Sequence, residues 1–202
     1  MDYNEEARKL FSVMGLDKDG HANKDGRTKT GGLYNDCDCV FKDPRSGGRV
    51  FIGNQTASRS RQVLADNGIT HIVNCTDDMP NVFEGKDRSI AYYRFDIYRY
   101  YSELNLKTHR GVLNFFSPMF RWVDAAVAEG HGVLIHCLAG AHRAGTSGTA
   151  YVMHATGMDH GTAIKACKTV RSVVDPIGDL SDLLRQLEKA QRGAIDKYTE
   201  GK

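Results

Sequence analysis

Strands and helices alternate along most of the chain, which predicts an α/β fold with a central, mostly parallel sheet flanked by helices. Three observations carry this expectation. Short β-rich runs recur at Cys37–Phe41, Arg49–Ile52, Ile69–Cys75, Ser89–Ile97 and Val133–His136. Segments of helical period lie between and after them. Gly68, Gly130 and Gly157 stand where three of those helical segments should stop.

Residues 1–32 are the least patterned. Asn4–Met14 has the spacing of a short helix, with Leu10, Phe11 and Met14 on one side. Asp17–Gly26 and Arg27–Gly32 are polar and glycine-rich, which suits a mobile N-terminal arm. Asp17 and Asp19 begin like a calcium loop. Ala22 stands where the turn glycine is needed and Thr28 where the bidentate Glu is needed, so the pattern fails. From Leu33 the chain becomes domain-like. The runs Cys37–Phe41 and Arg49–Ile52 are separated by the turn-rich Asp43-Pro-Arg-Ser-Gly-Gly48. Ser58–Asn67 reads as a helix with Val63 and Leu64 inward. Phe115–Ala128 places Phe116, Phe120, Val123 and Val127 on one face. Thr146–Ala155, Thr162–Arg171 and Asp179–Arg192 are three further helices, and 194–202 reads as a tail.

The composition narrows the class. A chain of 202 residues suits one domain with an extra arm. Hydrophobic residues are 41% and charged residues 26%, an ordinary globular balance. A net charge of +2 does not by itself argue for nucleic acid or an anionic membrane. Five cysteines, an odd number thinly spread, do not form a disulfide framework. The acidic, polar start is unlike a signal peptide, Asp2 stands where myristoylation needs glycine, and no apolar run approaches the roughly 20 residues that span a bilayer. These features lead to the expectation of a reducing compartment, cytoplasm or nucleus, where a thiol stays available.

One segment carries chemistry: Val133-Leu-Ile-His-Cys-Leu-Ala-Gly-Ala-His-Arg-Ala-Gly-Thr-Ser-Gly148. An apolar strand runs into a loop of small residues and then into a helix N-terminus. Such a loop can turn successive backbone N–H groups toward one point, and the following helix dipole adds to the anion cradle. Leu138, Ala139, Gly140, Ala141, His142 and Arg143 would form the cradle. Cys137 opens it and Arg143 closes it, where a guanidinium can hold two phosphate oxygens. The same field acts on the thiol, whose free pKa near ~8.5 falls to about 3.5–7.5 beside a helix N-terminus or cation.

This Cys-x5-Arg arrangement resembles the protein tyrosine phosphatase superfamily, and within it the small atypical dual-specificity phosphatases. Val50-Phe-Ile-Gly-Asn54, Leu64–Asn74 and the region Arg171–Leu187, with Asp175-Pro-Ile-Gly178, match that family's order and spacing, so the likeness covers about residues 33–193. It implies the superfamily's three-layer sandwich over 33–193 and hydrolysis through a phosphocysteine, without metal or other cofactor. Cys137 would be the nucleophile and Arg143 the phosphate clamp. A carboxylic acid would protonate the leaving oxygen and then activate water. Asp96, in Tyr93-Arg-Phe-Asp-Ile-Tyr98, is the first candidate for that acid and Glu103 the second; a strand-end Asp96 paired to Arg94 or Arg99 is the bland alternative. Ala144 departs from the family, which usually has a hydroxyl residue there to steady the departing thiolate. Thr146 or Ser147 is the expected substitute, with slow breakdown of the phosphocysteine as the consequence. His136 is expected to help hold the thiolate and loop, and His142 to point to solvent at the rim.

Several residues have bland readings. Cys37-x-Cys39 lacks a second zinc pair and reads as part of a strand. Cys75 is either a small buried residue or a resolving thiol for Cys137, and Cys167 reads as core. Tyr92, Tyr93, Tyr98, Tyr100 and Tyr101 with Arg94 and Arg99 could suggest single-stranded RNA, but read better as a strand and the wall of a cleft. The resemblance thus points to a phosphoprotein substrate, phosphotyrosine and phosphoserine/phosphothreonine, with neither nucleic acid nor membrane as partner. A phosphoinositide, phosphoglucan or RNA 5′-phosphate is the alternative substrate, and a phosphopeptide-binding module the non-enzymatic alternative. A phosphoinositide enzyme would be expected to carry lysines in the loop, and 138–142 has none.

Overall fold

The computed structural model describes residues 1–17, 34–102 and 108–200. The elements are α1 (Tyr3–Met14), β1 (Cys37–Lys42), β2 (Arg49–Gly53), α2 (Gln55–Arg59), α3 (Arg61–Asp66), β3 (Ile69–Asn74), β4 (Ala91–Arg94), a 3-10 turn (Ile97–Tyr101), α4 (His109–Ala128), β5 (Gly132–His136), α5 (Arg143–Thr156), α6 (His160–Val170) and α7 (Asp179–Glu200). Among the described residues the sheet has five strands, in the order β1-β2-β5-β3-β4. Only the β1–β2 pair is antiparallel; β2, β5, β3 and β4 run parallel. The mostly parallel sheet flanked by helices is therefore present.

The central strand β5 is buried along its whole length, as a parallel strand covered on both faces must be. Alternation divides its side chains between two cores. Val133 and Ile135 join Val50, Ile52, Val73, Phe116, Phe120, Val123 and Leu184 beneath α4, α5 and α7. Leu134 joins Phe51, Leu64, Ile69 and Ile72 on the opposite face, beneath α3. Register aligns Gly53, His136 and Asn74 across β2, β5 and β3, so three parallel strands end together. Their carboxyl ends form the edge where ligands bind in such sheets.

Local chemistry explains where boundaries differ from expectation. The helix expected over Ser58–Asn67 is two helices, because Ser60 ends α2 and its hydroxyl caps α3 by accepting from the Val63 N–H at 3.2 Å. The strand expected over Ser89–Ile97 stops at Arg94, because Asp96 caps the 3-10 turn instead. The helix expected from Phe115 begins at His109, capped by Thr108.

The N-terminal helix forms where expected and is packed rather than held apart as an arm. Asp2 caps α1 by accepting from the N–H groups of Asn4 at 2.8 Å and Glu5 at 3.2 Å. Gly15, at φ 72°, closes it in the left-handed conformation. Tyr3, Ala7 and Phe11 recur at a spacing of four and are buried. The rest of the expected arm, residues 18–32, and with it all of the failed calcium loop after Asp17, lies outside the described residues.

Candidate active site

The loop from Cys137 to Arg143 leaves the end of β5 and enters α5. Its carbonyl oxygens are held from outside, one after another. The Gln55 N–H donates to Leu138 O at 3.1 Å, and the Asp175 N–H donates to Ala141 O at 3.0 Å. The Tyr34 hydroxyl donates to Ala139 O at 2.8 Å. Arg171 donates from Nε to Gly140 O and from Nη2 to Ala139 O, each at 3.0 Å. Both the N–H and the hydroxyl of Thr146 donate to His142 O. In a planar trans peptide the N–H points opposite to the C=O. Pulling the carbonyls outward therefore turns the loop's N–H groups inward, the arrangement that makes an anion cradle. Gly140 is at φ +64°, and a Cβ there would lie 2.5 Å from Gly53 O. Only glycine fits that turn of the loop.

Arg171 is the principal anchor, and sequence reasoning assigned it no role. Its side chain is 1% exposed. Besides the two loop carbonyls, Nη1 donates to Asn35 O at 2.9 Å and to Asp38 Oδ2 at 2.7 Å. The guanidinium lies 5.2 Å from the centre of the Tyr34 ring. Asn54 completes the support by donating to the Tyr34 hydroxyl and to Asp36 Oδ1. The available signal was that Arg171 opens, and Asn54 closes, a stretch already aligned with the family, while Tyr34 gave none.

The residues expected to react converge. Cys137 is 3% exposed and Arg143 4%. The buried Cys75 thiol, just beyond β3, lies in the fields of Cys137, Arg143 and Asp96 together, although burial is the main cause that pushes its pKa up. Asp96 is half-buried and accepts from the Tyr98 N–H at 3.0 Å. Arg94 is engaged elsewhere, donating to the carbonyls of Thr76 at 2.6 Å and Met79 at 2.8 Å. Glu103 lies outside the described residues. His136 is fully buried, and desolvation, followed by the charges of Arg94, Arg59 and Arg143, brings its pKa down to about 3 against the pull of a hydrogen bond with the Cys137 backbone. It is a neutral imidazole at the base of the loop, so any hold on the thiolate is not an ion pair.

Two expectations need correction. His142 does not point to solvent: it is 7% exposed, and its Nδ1 lies 2.7 Å from Asp175 O, tying the loop to the segment after α6. Neither Thr146 nor Ser147 replaces the missing hydroxyl of residue 144. Thr146 Oγ1 donates to His142 O at 2.7 Å and Ser147 Oγ to Arg143 O at 2.9 Å. A hydroxyl has one proton to give, and these are committed to the helix backbone.

The bland readings of the other cysteines fit their surroundings. Cys37 and Cys39 sit in β1, where burial raises the Cys37 thiol to about 11. Cys167 is buried in the main core. Among the described residues, only Asp159, His160 and Glu188 bring three metal-capable groups together. There Glu188 accepts from the His160 backbone and pairs with Arg192, which accounts for the cluster without an ion.

The site has a cover. Ala7, Phe11 and Leu16 form one apolar cluster with Tyr34 and the loop residues Leu138, Ala139 and Ala141. Tyr3 is buried in the same cluster as Cys137, Ala144 and Ile97, and meets Tyr98 edge-on at 5.9 Å. Arg143 Nη2 donates to Asn4 Oδ1. The cleft that reaches Arg143 has a volume of about 440 Å³ and is lined by Met1 to Asn4, Asp77, Asp78 and Tyr98.

Comparison with known proteins agrees with this geometry. The family model described as "Dual specificity phosphatase, catalytic domain" matches residues 50–191. Human dual specificity protein phosphatase 9 is 30% identical over 75% of this chain and 38% of its own length. Human dual specificity protein phosphatase 6 is 31% identical over 68% of the chain and 35% of its length. This chain thus spans just over a third of those relatives. Among solved structures, human DUSP28 superposes with a TM-score of 0.61 at 23% identity, covering 78% of this chain and 96% of that one. That likeness establishes the shared fold.

Proposed function

This chain belongs to the dual specificity phosphatase family, and we propose that it hydrolyses phosphotyrosine and phosphoserine/phosphothreonine in proteins. One observation carries the reading: a loop whose carbonyls from Leu138 to Ala141 are held from outside runs between a buried cysteine and a buried arginine. Such a cradle binds a tetrahedral oxyanion through N–H groups and a guanidinium, and its nucleophile lies at the bottom.

The proposed course has two steps. The Cys137 sulfur attacks phosphorus as the substrate oxygen departs opposite to it, forming the S–P bond and breaking the O–P bond. Asp96 supplies the proton to the leaving oxygen. Water then attacks the phosphocysteine, Asp96 takes its proton, and inorganic phosphate leaves with the Cys137 thiolate regenerated. Arg143 and the loop amides stabilise the charge on the transferring group throughout. The five free cysteines suit a reducing compartment, cytoplasm or nucleus.

Hydrolysis of an aryl phosphate by the wild type, beside Cys137→Ser, in reductant and chelator, tests the reading. Activity lost in Cys137→Ser supports it; activity that survives the substitution refutes it. Asp96→Asn should remove the limb of the pH profile that requires the acid; an unchanged profile transfers the role to Glu103. Phosphotyrosine and phosphothreonine peptides then separate dual specificity from tyrosine specificity. The commitment of the Thr146 and Ser147 hydroxyls favours a second reading, a phosphopeptide-binding module with little turnover. Micromolar phosphopeptide affinity without hydrolysis would select it.

A further inference from the structure

The geometry points to α1 as an internal ligand of the active site, with Tyr3 in the place of a substrate's aromatic side chain and Asn4 on the phosphate clamp. This rests on the phosphatase reading of the same site. Arg143, the group that should meet phosphate, donates instead to Asn4 Oδ1 across 139 positions of sequence. Tyr3 is 2% exposed within the apolar cluster that contains Cys137. Tyr98, from the turn capped by the proposed acid Asp96, packs edge-on against Tyr3. The Asp2 carboxylate, held low first by the Glu5 and Asn4 N–H groups, also lies in the field of Arg143. The N-terminus thus brings a ring, an amide oxygen and a carboxylate to the place where an aryl phosphate brings a ring and phosphate oxygens.

The docking is built into α1 rather than made by its tip alone. Ala7 and Phe11 lie on the same face as Tyr3 and cover Leu138, Ala139 and Ala141. With α1 in place Cys137 is 3% exposed, and Tyr3 packs in the apolar cluster that contains it. Substrate and α1 therefore compete for one site, and substrate affinity is reduced by the fraction of molecules in which α1 is docked. Tyr34 is held to the loop by its own hydrogen bond to Ala139 O, separately from the α1 contacts.

The experiment uses the full chain and two substitutions outside the catalytic groups. Asn4→Ala removes the contact to Arg143 and leaves the apolar face intact. Phe11→Glu places a charge in that face and undocks the helix. Alkylation of Cys137 by iodoacetamide, followed by peptide mass spectrometry, reads access without requiring turnover. Cys137 should be alkylated at least tenfold faster in Phe11→Glu and several-fold faster in Asn4→Ala. The value of kcat/KM for an aryl phosphate should rise in the same order. Binding competition is reciprocal, so saturating inorganic phosphate should speed amide exchange in residues 3–14 of the wild type. Phosphate that binds without changing that exchange overturns the proposal, because helix and anion then coexist. A fall in kcat/KM in both variants, with Cys137 alkylated no faster, also overturns it and makes α1 part of the substrate site. If Phe11→Glu does not fold, Asn4→Ala and the phosphate-linked exchange decide. If the phosphatase reading itself fails, no form turns over, yet alkylation and phosphate-linked exchange still report whether α1 covers an anion site.

Discussion

Replacing Arg171 with methionine should damage stability and anion binding together, and the size of the loss can be worked from its contacts. The guanidinium holds Ala139 O, Gly140 O, Asn35 O and Asp38 Oδ2 at 2.7–3.0 Å, with the side chain 1% exposed. Methionine keeps much of the length and apolar stem and removes every donor. Breaking a buried ion pair by deleting one partner costs about 3–5 kcal/mol, because the other charge remains. The Asp38 side chain is 13% exposed and keeps its hydrogen bond from Asn35 Nδ2 at 2.7 Å, which moderates that cost. Three carbonyls lose a donor, but the Tyr34 hydroxyl still serves Ala139 O. A net loss of about 4 kcal/mol follows. With a urea dependence of about 2 kcal/mol per molar, the midpoint should fall by roughly 2 M. Vanadate affinity should fall as well, because Gly140 O is no longer held outward and Ala139 O keeps only the Tyr34 hydroxyl. Asp38→Asn in the Arg171→Met background should recover part of the stability and none of the affinity, and the double-mutant cycle isolates the pair. A midpoint shift below about 0.5 M, or vanadate bound as tightly as by the wild type, would refute the assignment of Arg171 as the loop's anchor.

Three further outcomes follow from the same site. Ala144→Ser should speed breakdown of the phosphocysteine by about 10–100-fold, the worth of a hydrogen bond to a charged group; a wild-type burst of aryl alcohol in rapid-quench kinetics should shrink in the variant, and an unchanged burst would place the slow step elsewhere. Gly140→Ala should abolish turnover while leaving much of the fold, since its Cβ meets the Gly53 backbone and the Arg171 guanidinium; measurable vanadate binding by this variant would argue against the turn's necessity. His136 makes stability fall in acid. Its folded pKa of about 3 lies below the unfolded value near 6.5, so the unfolded chain takes up the proton first, and the contribution is intact above about pH 6.5 and lost down to about pH 3. The slope contributed is at most ~1.4 kcal/mol per pH unit, and urea midpoints across pH 7.5–4.5 should be flatter in His136→Gln than in the wild type.

What could be read from the sequence was local. Cys137, the loop and Arg143 lie within seven consecutive positions, and a strand before them and a helix after them fix their geometry. Asp96 could be named as a candidate acid because it lies near the end of a strand-like run, and the structure places it two positions past β4. The contacts that shape the loop from outside are not local: Tyr34, Gln55 and Arg171 come from three separate segments. No periodicity marks a tyrosine whose hydroxyl will reach a carbonyl 105 positions away. His142 was misjudged for the same reason, since its partner Asp175 lies 33 positions on. The split at Ser60 was a capping effect that outweighed the run of helical spacing.

The loop's composition explains why a cover is needed at all. Its side chains at 138, 139 and 141 are apolar, and its affinity for anions resides in the backbone and in one arginine. With α1 absent, Leu138 and its neighbours would face water beside a site that works best when dry. An apolar helix face meets that need when no substrate is bound, and Phe11 is the largest side chain that α1 brings to the cluster with Leu138. A substrate that displaces α1 must then replace the lost cover with its own surface. An aromatic ring fills the space of Tyr3 more completely than the short stem of phosphoserine does. Competition by α1 lowers the affinity of both substrates by the same docked fraction, so a preference for phosphotyrosine over phosphoserine belongs to the open site and not to the helix. The ratio of kcat/KM for a phosphotyrosine peptide to that for its phosphoserine counterpart should exceed ten in the wild type. It should stay the same in Phe11→Glu, because releasing α1 raises kcat/KM for both substrates by one factor; a ratio that falls toward one would show that α1 forms part of the substrate site and does not merely compete for it.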